Sequence, residues 1–265
     1  MSEIKLVAID LDGTLLHSDK SRPREAMEIF RELISRGVDV ALASGRQYAW
    51  LRNEFSELAD GMTFLCENGA LLVKNEQRLL CEGLPHTRLL EMISAVRTVK
   101  TGAASPCTPD MVYYEADFPL LVLSMKHAYR NSERVSDVYA AVGDKPIMKI
   151  SVYDDENAEK NLYPVLKPFS DDAAVVVSGQ NWVDIMKKGV SKGFAMRRLM
   201  AMKSLRPEEC MAFGDYMNDS EMMDAVYHSY GMANGHPDFL AHCRFRAPSN
   251  DEDGVLQVLK RTFGL

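Results

Sequence analysis

A run of apolar residues that ends in two carboxylates is the feature of this sequence that most restricts its fold. Residues 6–9 read Leu-Val-Ala-Ile, a pattern typical of a strand buried on both faces within a parallel sheet. Asp10 and Asp12 follow at the carboxyl end of this strand, the edge at which open α/β sheets bind ligands. Gly13 comes next, where a sharp turn needs a residue without a Cβ. An ordinary turn has the same composition, so the function of these residues depends on the segments that follow.

The same order of strand and helix recurs along the chain. Apolar residues at helical spacing alternate with short apolar runs that end in small or acidic residues. The predicted strands after the first are residues 38–43, 62–66, 210–213 and 227–232, and the predicted helices include residues 26–34 and 192–200. This alternation predicts an α/β fold with a Rossmann-like core built on a parallel sheet.

The pattern changes in the middle of the chain, where strands are joined by helices in some places and by short turns in others. Such mixing favours a small α+β module over continued βαβ winding. The candidate strands of this module are residues 120–125, 148–153, 173–178 and 182–186. We therefore predict a core domain made of residues 1–82 and 188–265, with an α+β domain inserted as residues 83–187.

Composition excludes several classes of protein. The 265 residues are 46% hydrophobic and carry a net charge of −7, which is ordinary for a soluble globular protein and argues against a general affinity for nucleic acid. The five cysteines are scattered without a C-x-x-C pair, which favours reduced thiols over disulfides or a zinc site. No leader or membrane-spanning segment is visible. We therefore expect a cytoplasmic protein that binds neither nucleic acid nor membrane.

Acidic residues are expected to gather at one edge of the predicted sheet. Asp10, Asp12, Asp215 and Asp219 follow the ends of two strands, and Ser44 follows a third. Carboxylates in one crevice repel one another and need a counter-charge, for which Mg²⁺ suits an all-oxygen site better than zinc does.

Each of these segments also has a purely structural explanation. Asp219 is equally well placed to cap the helix that follows it. Ser44 and Gly45 suit a turn between strand and helix, although a hydroxyl and free N–H groups at a helix start also bind anions. Lys192 is either a solvated surface lysine or a cation that neutralises a phosphate.

Taken together and in order, these segments resemble the four motifs of the haloacid dehalogenase (HAD) superfamily, and their residue types resemble its Cof-type sugar-phosphatase branch. The insertion lies where that branch carries a C2-type cap, which would close over the core and exclude water. The segments that carry the resemblance are residues 10–14, 43–46, 67–70, 189–193, 214–219 and 250–255.

The resemblance implies a role for each matched residue. Asp10 would attack phosphorus and form an aspartyl-phosphate, while Asp12 would protonate the leaving oxygen and later deprotonate water. The implied phosphate- and substrate-binding residues are Leu11, Thr14, Ser44, Gly45, Arg46, Lys192 and Asn218. The implied Mg²⁺ site consists of the Asp10 and Asp215 side chains and the Asp12 main-chain carbonyl, with Asp219 orienting ligand waters or Lys192.

We therefore expect a Mg²⁺-dependent phosphatase that acts on small phosphorylated metabolites such as sugar phosphates. A phosphosugar mutase on the same core, a phospho-aspartate switch domain and a non-catalytic protein that binds phosphorylated metabolites are the alternatives. Tyr113, Tyr114 and Asp117 of the insertion are either specificity residues or structural ones. The sequence departs from the family pattern at Gly235-His236, which leaves the role of Asn234 open. A monomer or weak homodimer is expected.

Overall fold

A computed structural model describes residues 3–265, apart from the side chains of residues 127 and 128. The chain forms two compact units. The first consists of residues 3–45, Leu51–Leu80 and Ser191–Leu265, and the second consists of Arg46–Trp50 and Cys81–Val190. The membership of Arg46–Trp50 in the second unit was not expected from the sequence, which placed this segment in the core domain.

Fourteen strands occur in the part of the chain that the structure describes, and they form two sheets. In chain order the strands are β1 (Leu6–Asp10), β2 (Asp39–Ala43), β3 (Thr63–Cys66), β4 (Leu71–Lys74), β5 (Gln77–Cys81), β6 (Gly102–Cys107), β7 (Val112–Tyr114), β8 (Ser132–Arg134), β9 (Lys149–Asp154), β10 (Ala173–Gly179), β11 (Trp182–Lys187), β12 (Cys210–Gly214), β13 (His228–Met232) and β14 (Phe245–Ala247).

Eleven α-helices and five short 3₁₀ turns lie in the same described residues. The helices are α1 (Ala26–Ser35), α2 (Tyr48–Glu54), α3 (His86–Arg97), α4 (Pro119–Ala128), α5 (Val138–Val142), α6 (Ala158–Asn161), α7 (Tyr163–Leu166), α8 (Lys192–Met202), α9 (Ser220–Ala225), α10 (Pro237–Leu240) and α11 (Gly254–Phe263). The 3₁₀ turns are Glu67–Gly69, Lys167–Asp171, Pro207–Glu209, Met217–Asp219 and Asn250–Glu252.

The first unit is built on an eight-stranded sheet with the order β14-β13-β12-β1-β2-β3-β4-β5. The strands from β14 to β3 pair in parallel, and β4 pairs with β3 in the antiparallel direction. Every residue of β1 and β2 is buried, as expected for central strands covered on both faces. The predicted α/β class with a mainly parallel sheet is confirmed.

Helices cover this sheet through apolar faces with the expected spacing. In α1, Ala26, Ile29, Phe30 and Leu33 are all buried, a stripe at intervals of three and four residues. In α8, Ala195, Met196 and Leu199 pack into a buried cluster with apolar residues of the sheet. The core of the first unit therefore encloses β1, whose residues are all buried, and fixes the position of its carboxyl end.

The second unit contains a six-stranded sheet with the order β10-β11-β9-β6-β7-β8. Its four longest strands pair in the antiparallel direction. Alternate residues of β9 divide between the two faces, since Ile150 and Val152 join the apolar cluster that includes Leu89 of α3 and Leu162. The other face carries Lys149 and Ser151.

One predicted strand of this module was wrong, and three observed strands were not predicted. Residues 120–125, predicted as a strand, belong to helix α4, in which Pro119 occupies the first turn and Leu121 and Met125 are fully buried one turn apart. A short apolar run does not by itself distinguish a buried strand from a helix. The strands β6, β7 and β8 were not predicted, because β6 contains Pro106 and small residues, β8 is entirely polar, and β7 is only three residues long.

Among the described residues, no helix is both long and apolar enough to cross a bilayer. The five cysteines, Cys66, Cys81, Cys107, Cys210 and Cys243, are present as free thiols.

Candidate active site

Three predicted site residues lie at the carboxyl ends of three neighbouring strands of the first sheet. Strand β1 pairs with β2 on one side, where Asp10 lies opposite Ala43, and with β12 on the other, where Ile9 lies opposite Phe213. Ser44 and Asp215 follow directly after β2 and β12, at the same carboxyl edge as Asp10. The parallel pairing therefore unites residues that are about two hundred positions apart in the chain.

Lys192 begins helix α8, and its ammonium lies between two carboxylates. The Nζ atom donates to Asp10 Oδ1 at 2.6 Å and to Asp219 Oδ1 at 2.7 Å. The side chain of Lys192 is only 2% exposed, so it is not the solvated surface lysine that was the alternative. Asp215 completes the group, since one carboxylate oxygen from each of the three aspartates lies within 4.8 Å of the other two.

The charges in this group are unbalanced. Burial and the carboxylates of Asp219 and Asp215 raise the pKa of Asp10 to about 8, although the Lys192 ammonium acts in the opposite direction. Burial and then Asp219 also raise the pKa of Asp215 above its ordinary value. Burial by itself lowers the pKa of Lys192, but Asp10 and Asp219 reverse this effect and raise it. The group thus contains one ammonium and three carboxyl groups. A further cation would offset the excess of acidic groups.

Asp219 is held by the loop in which it lies. Its Oδ2 atom accepts from the main-chain N–H groups of Asp215 at 3.2 Å and Tyr216 at 3.4 Å, while its other oxygen accepts from Lys192. The carboxylate is completely buried. Asp219 thus closes its own 3₁₀ turn and fixes the position of the lysine, whereas its side chain makes no capping hydrogen bond to the following helix α9.

The loop after β1 depends on its glycine and is tied to β12. Gly13 has a φ of +83°, and a Cβ at this position would collide with the Asp215 carboxylate. Thr14 Oγ1 donates to Asp215 Oδ1 at 3.1 Å. The Asp12 side chain is 40% exposed and pairs with Lys20 at 3.0 Å, so it lies outside the buried group of aspartates. Lys20 was not expected at the site, because a lone lysine in a turn gives no sequence signal.

Asn234, whose role was left open, anchors this loop to the C-terminal segment. Its Nδ2 atom donates to the Gly13 carbonyl at 2.8 Å, and its Oδ1 atom accepts from the Asn250 main-chain N–H at 3.0 Å. The Asn250 side chain in turn donates to the Leu16 carbonyl at 2.9 Å. The residue types at Gly235 and His236 therefore leave the anchoring function of Asn234 intact.

A left-handed turn lies beside Ser44 and Gly45. Glu67, Asn68 and Gly69 all have positive φ angles, and the Asn68 N–H donates to the Ser44 carbonyl at 3.0 Å. The Asn68 side chain accepts from Asn218 Nδ2 at 3.4 Å. Asn68 was missed as a site residue, although the Asn-Gly pair after a strand is a recognisable signal of such a turn.

The remaining predicted residues are Leu11, Arg46 and the specificity candidates of the insertion. Leu11 is fully buried, so only its main chain is available to a ligand. Arg46 belongs to the second unit, where its guanidinium lies 3.9 Å from the centre of the Trp50 ring. The three specificity candidates of the insertion make contacts within the second unit. Tyr113 and Tyr114 are buried in apolar clusters, and Asp117 pairs with Arg134.

The donor set fits a hard divalent cation. Asp10, Asp215 and Asp219 offer only oxygen atoms, and burial together with the neighbouring carboxylates raises the pKa of Asp10 and of Asp215, an effect that a bound cation would oppose. Since Asp219 already accepts from Lys192 and two N–H groups, Asp10 and Asp215 are the side chains best placed to hold the ion. The Asp12 side chain is not part of this group, which leaves its main-chain carbonyl as the predicted ligand.

We expect the metal-free protein to lose stability as the pH rises from about 5 to about 9. The folded protein keeps a proton on Asp10 up to its raised pKa of about 8, whereas the unfolded chain releases that proton near the ordinary aspartate pKa of 3.8. The folded state therefore binds more protons over this range, and the free energy of unfolding falls as the pH rises. Urea unfolding in EDTA at a series of pH values measures this dependence.

The variant Asp10→Asn is the control for this pH dependence, because it fills the same volume without a titrating group. Its free energy of unfolding should fall less steeply with pH than that of the unmodified protein. Identical slopes for the two proteins would show that Asp10 does not titrate as the structure indicates.

The parallel sheet has an aspartate at the end of its central strand, next to two further aspartates and a buried lysine. This combination is typical of α/β enzymes with a site for phosphoryl chemistry. The family model for haloacid dehalogenase-like hydrolases matches residues 7–259. The chain therefore belongs to the haloacid dehalogenase-like hydrolases. The resemblance predicted from the sequence is confirmed, and so is an enzyme class that corresponds to phosphoric monoester hydrolases.

Similar proteins cover almost the whole chain. The 5-amino-6-(5-phospho-D-ribitylamino)uracil phosphatase YbjI of Escherichia coli is 26% identical, over 97% of this chain and 96% of that protein. A crystal structure from Eubacterium rectale has a TM-score of 0.90 at 27% identity and covers 98% of this chain and 99% of that one. The HAD subclass IIB sugar phosphatase BT4131 shares the fold, with a TM-score of 0.80 at 20% identity and coverage of 98% and 99%.

Proposed function

We propose that this protein is a Mg²⁺-dependent phosphatase that hydrolyses small phosphorylated metabolites through an aspartyl-phosphate intermediate. The observation that carries the proposal is the buried Lys192, which is held between Asp10 and Asp219 with Asp215 beside them. A nucleophile, a fixed cation and two further carboxylates at one sheet edge are the groups that phosphoryl transfer requires. The similar proteins include one named a 5-amino-6-(5-phospho-D-ribitylamino)uracil phosphatase and one named a sugar phosphatase, which supports small phosphomonoesters as substrates.

The reaction proceeds in two displacements at phosphorus. In the first, an Asp10 carboxylate oxygen forms a bond to phosphorus while the bond to the leaving oxygen breaks, and Asp12 gives its proton to that oxygen. In the second, Asp12 takes a proton from a water molecule whose oxygen attacks phosphorus. The bond from Asp10 to phosphorus then breaks, and inorganic phosphate leaves. The half-exposed position of the Asp12 side chain is consistent with a group that exchanges protons with leaving group and water.

The other groups position the phosphate and stabilise its charge. Lys192 presents a cation that is already desolvated, so its attraction for phosphate oxygens is stronger than that of a surface lysine. Ser44 supplies a hydroxyl, and the main chains of Leu11 and Gly45 supply N–H donors. Asn218 donates a hydrogen bond to the Asn68 side chain, which lies in the turn beside Ser44 and Gly45. Thr14 acts indirectly, since it holds Asp215.

Asp10 and Asp215 would hold Mg²⁺ with their side chains, together with the Asp12 main-chain carbonyl. When bound, the ion supplies positive charge that favours the ionised, nucleophilic form of Asp10 and offsets the charge of the phosphate. In this proposal the first unit is the catalytic domain. The second unit, which contains the inserted residues 83–187, determines substrate specificity.

Removal of divalent metal is expected to abolish phosphatase activity. Without a cation the Asp10 carboxyl, whose pKa is raised to about 8, is mostly protonated at neutral pH and cannot attack phosphorus. Phosphate release from p-nitrophenyl phosphate should stop in excess EDTA and return when Mg²⁺ is added in excess of the chelator. Full activity in EDTA would exclude the metal from the mechanism.

Product analysis tests the proposed reaction itself. Incubation with a sugar phosphate should yield free inorganic phosphate and the dephosphorylated sugar in equal amounts. An isomeric sugar phosphate as the product would contradict the proposal and identify a mutase, and tight binding without any product would identify a binding protein.

A further inference from the structure

The Asp12 side chain contacts a turn formed by residues 17–21, which we call the lysine turn. In this turn the His17 N–H donates to the Ser21 carbonyl at 2.9 Å, and the Lys20 N–H donates to the His17 carbonyl at 2.9 Å. Lys20 has a φ of +69°, in the left-handed region that favours Gly or Asn. A turn that had only to reverse the chain would be more stable with one of those residues at this position. The presence of a lysine here therefore indicates a use for its side chain.

The Lys20 side chain reaches back to Asp12. Its Nζ atom donates to Asp12 Oδ1 at 3.0 Å, and the two side chains are 62% and 40% exposed. A pair with this exposure contributes little stability, because both side chains lose rotamer freedom when the pair forms. The pair can nevertheless select one orientation of the Asp12 carboxyl, if the main chain that carries each partner is fixed.

The main chain that carries Asp12 is fixed by its own loop. The Leu15 N–H donates to the Asp10 carbonyl at 3.2 Å, and the Leu16 N–H donates to the Leu11 carbonyl at 2.8 Å. The side chains of Leu15 and Leu16 are buried. Buried side chains and main-chain hydrogen bonds therefore hold this loop against the end of β1.

The lysine turn is fixed by side chains of residues 250–253. His17 Nε2 lies 2.7 Å from Asp253 Oδ1. The Asp251 carboxylate accepts from the Ser18 N–H at 2.8 Å and from Ser18 Oγ at 2.7 Å. Three hydrogen bonds thus hold the turn from a segment that is more than two hundred positions away in the chain.

We propose that Lys20 is a positioning residue for Asp12, the proposed general acid and base. The main chain of both residues is fixed, so only their side chains have to be ordered when the pair forms. The carbonyl oxygen of a protonated carboxyl group is its better acceptor, so the bond from Lys20 to Oδ1 places the transferable proton on Oδ2. Lys20 thereby fixes which oxygen of Asp12 gives its proton to the leaving oxygen. This inference rests on the proposed phosphatase function.

Two esters of similar shape separate this proton transfer from the rest of the reaction. p-Nitrophenolate leaves readily without a proton, whereas phenolate gains much more from protonation. With Mg²⁺ present, Lys20→Met should therefore lower kcat/KM for phenyl phosphate about tenfold and that for p-nitrophenyl phosphate less than about twofold. The value of kcat/KM reports the formation of the aspartyl-phosphate, which is the step that protonates the leaving oxygen.

Two further variants serve as controls. Lys20→Arg keeps a cationic donor and should retain most of the ratio between the two kcat/KM values. Lys5→Met removes a lysine of the same unit whose side chain is 51% exposed and pairs with Glu209, and it should leave the ratio unchanged. Thermal unfolding should show that Lys20→Met is folded, because the Lys20 side chain is mostly in solvent.

A double variant shows whether Lys20 acts through Asp12. Asp12→Asn alone should lower kcat/KM for phenyl phosphate about a hundredfold or more, since it removes the acid. Adding Lys20→Met to Asp12→Asn should have almost no further effect on either ester, because no transferable proton remains to be positioned. A merely structural role of Lys20 would lower the activity of both backgrounds by the same factor, and this result would overturn the inference.

The outcomes separate this inference from the proposed function. Equal losses for the two esters in Lys20→Met, or no loss for either, would overturn the role of Lys20. Phosphate release by the unmodified protein would still support the phosphatase function in that case. No phosphate release from either ester by the unmodified protein would refute the phosphatase function and this inference with it.

Discussion

Replacing Asp10 with asparagine is expected to lower the turnover number for phosphoester hydrolysis at least about a thousandfold. The amide cannot form the covalent intermediate, and a site that loses its nucleophile retains only the catalysis that comes from binding and charge stabilisation. The exchange keeps the volume of a side chain that is 7% exposed and removes one negative charge from a group of three carboxylates. The variant should therefore fold, and phosphate release at saturating substrate measures the effect.

Asp60→Asn is the matched control for this experiment, since Asp60 lies in the same unit and its side chain is 88% exposed. It should retain normal turnover. Acid quenching during turnover adds an independent measurement: the unmodified protein should carry protein-bound phosphate, and Asp10→Asn should carry none. Near-normal turnover by a folded Asp10→Asn variant would disprove the assignment of the nucleophile.

The sequence predicted the residues of the acidic crevice because local pattern and one topological rule were sufficient for it. Asp10 ends one continuous buried strand and Asp215 follows another, and parallel strands place their carboxyl ends at one edge. Lys192 was selected by its place at the start of a core helix. Its burial between two carboxylates, however, depends on the packing of α8 against α9, which no local pattern contains.

The second unit was less predictable because its elements are short and its polar residues are buried. The run at residues 120–125 has enough apolar residues for a strand, and only the burial of Leu121 and Met125 reveals a helix. Lys149 and Ser151 alternate with apolar residues, a pattern that normally indicates a solvent-exposed face. Whether such a face meets solvent or encloses a pocket depends on what packs above it, which tertiary structure alone decides.

Lys192→Met is expected to lower the free energy of unfolding of the metal-free protein by about 3–5 kcal/mol, the range for breaking one side of a buried ion pair, at about pH 9, above the Asp10 pKa of about 8. The ammonium makes two short hydrogen bonds, and its loss leaves the Asp10 and Asp219 carboxylates buried without their common cation. Urea unfolding in EDTA measures this loss. Turnover in Mg²⁺ should fall by about a hundredfold or more, because a desolvated cation at the phosphate is removed.

Lys260→Met provides the comparison with an exposed ion pair in the same unit. The Lys260 side chain is 37% exposed and pairs with Glu25 at 2.7 Å, so its replacement should cost less than about 1 kcal/mol. The double variant Lys192→Met/Asp10→Asn should recover part of the stability lost by Lys192→Met alone, since one of the two stranded carboxylates is then neutral. If the two substitutions are instead additive, Lys192 and Asp10 do not interact in the folded protein, and the nucleophile has no fixed cation beside it.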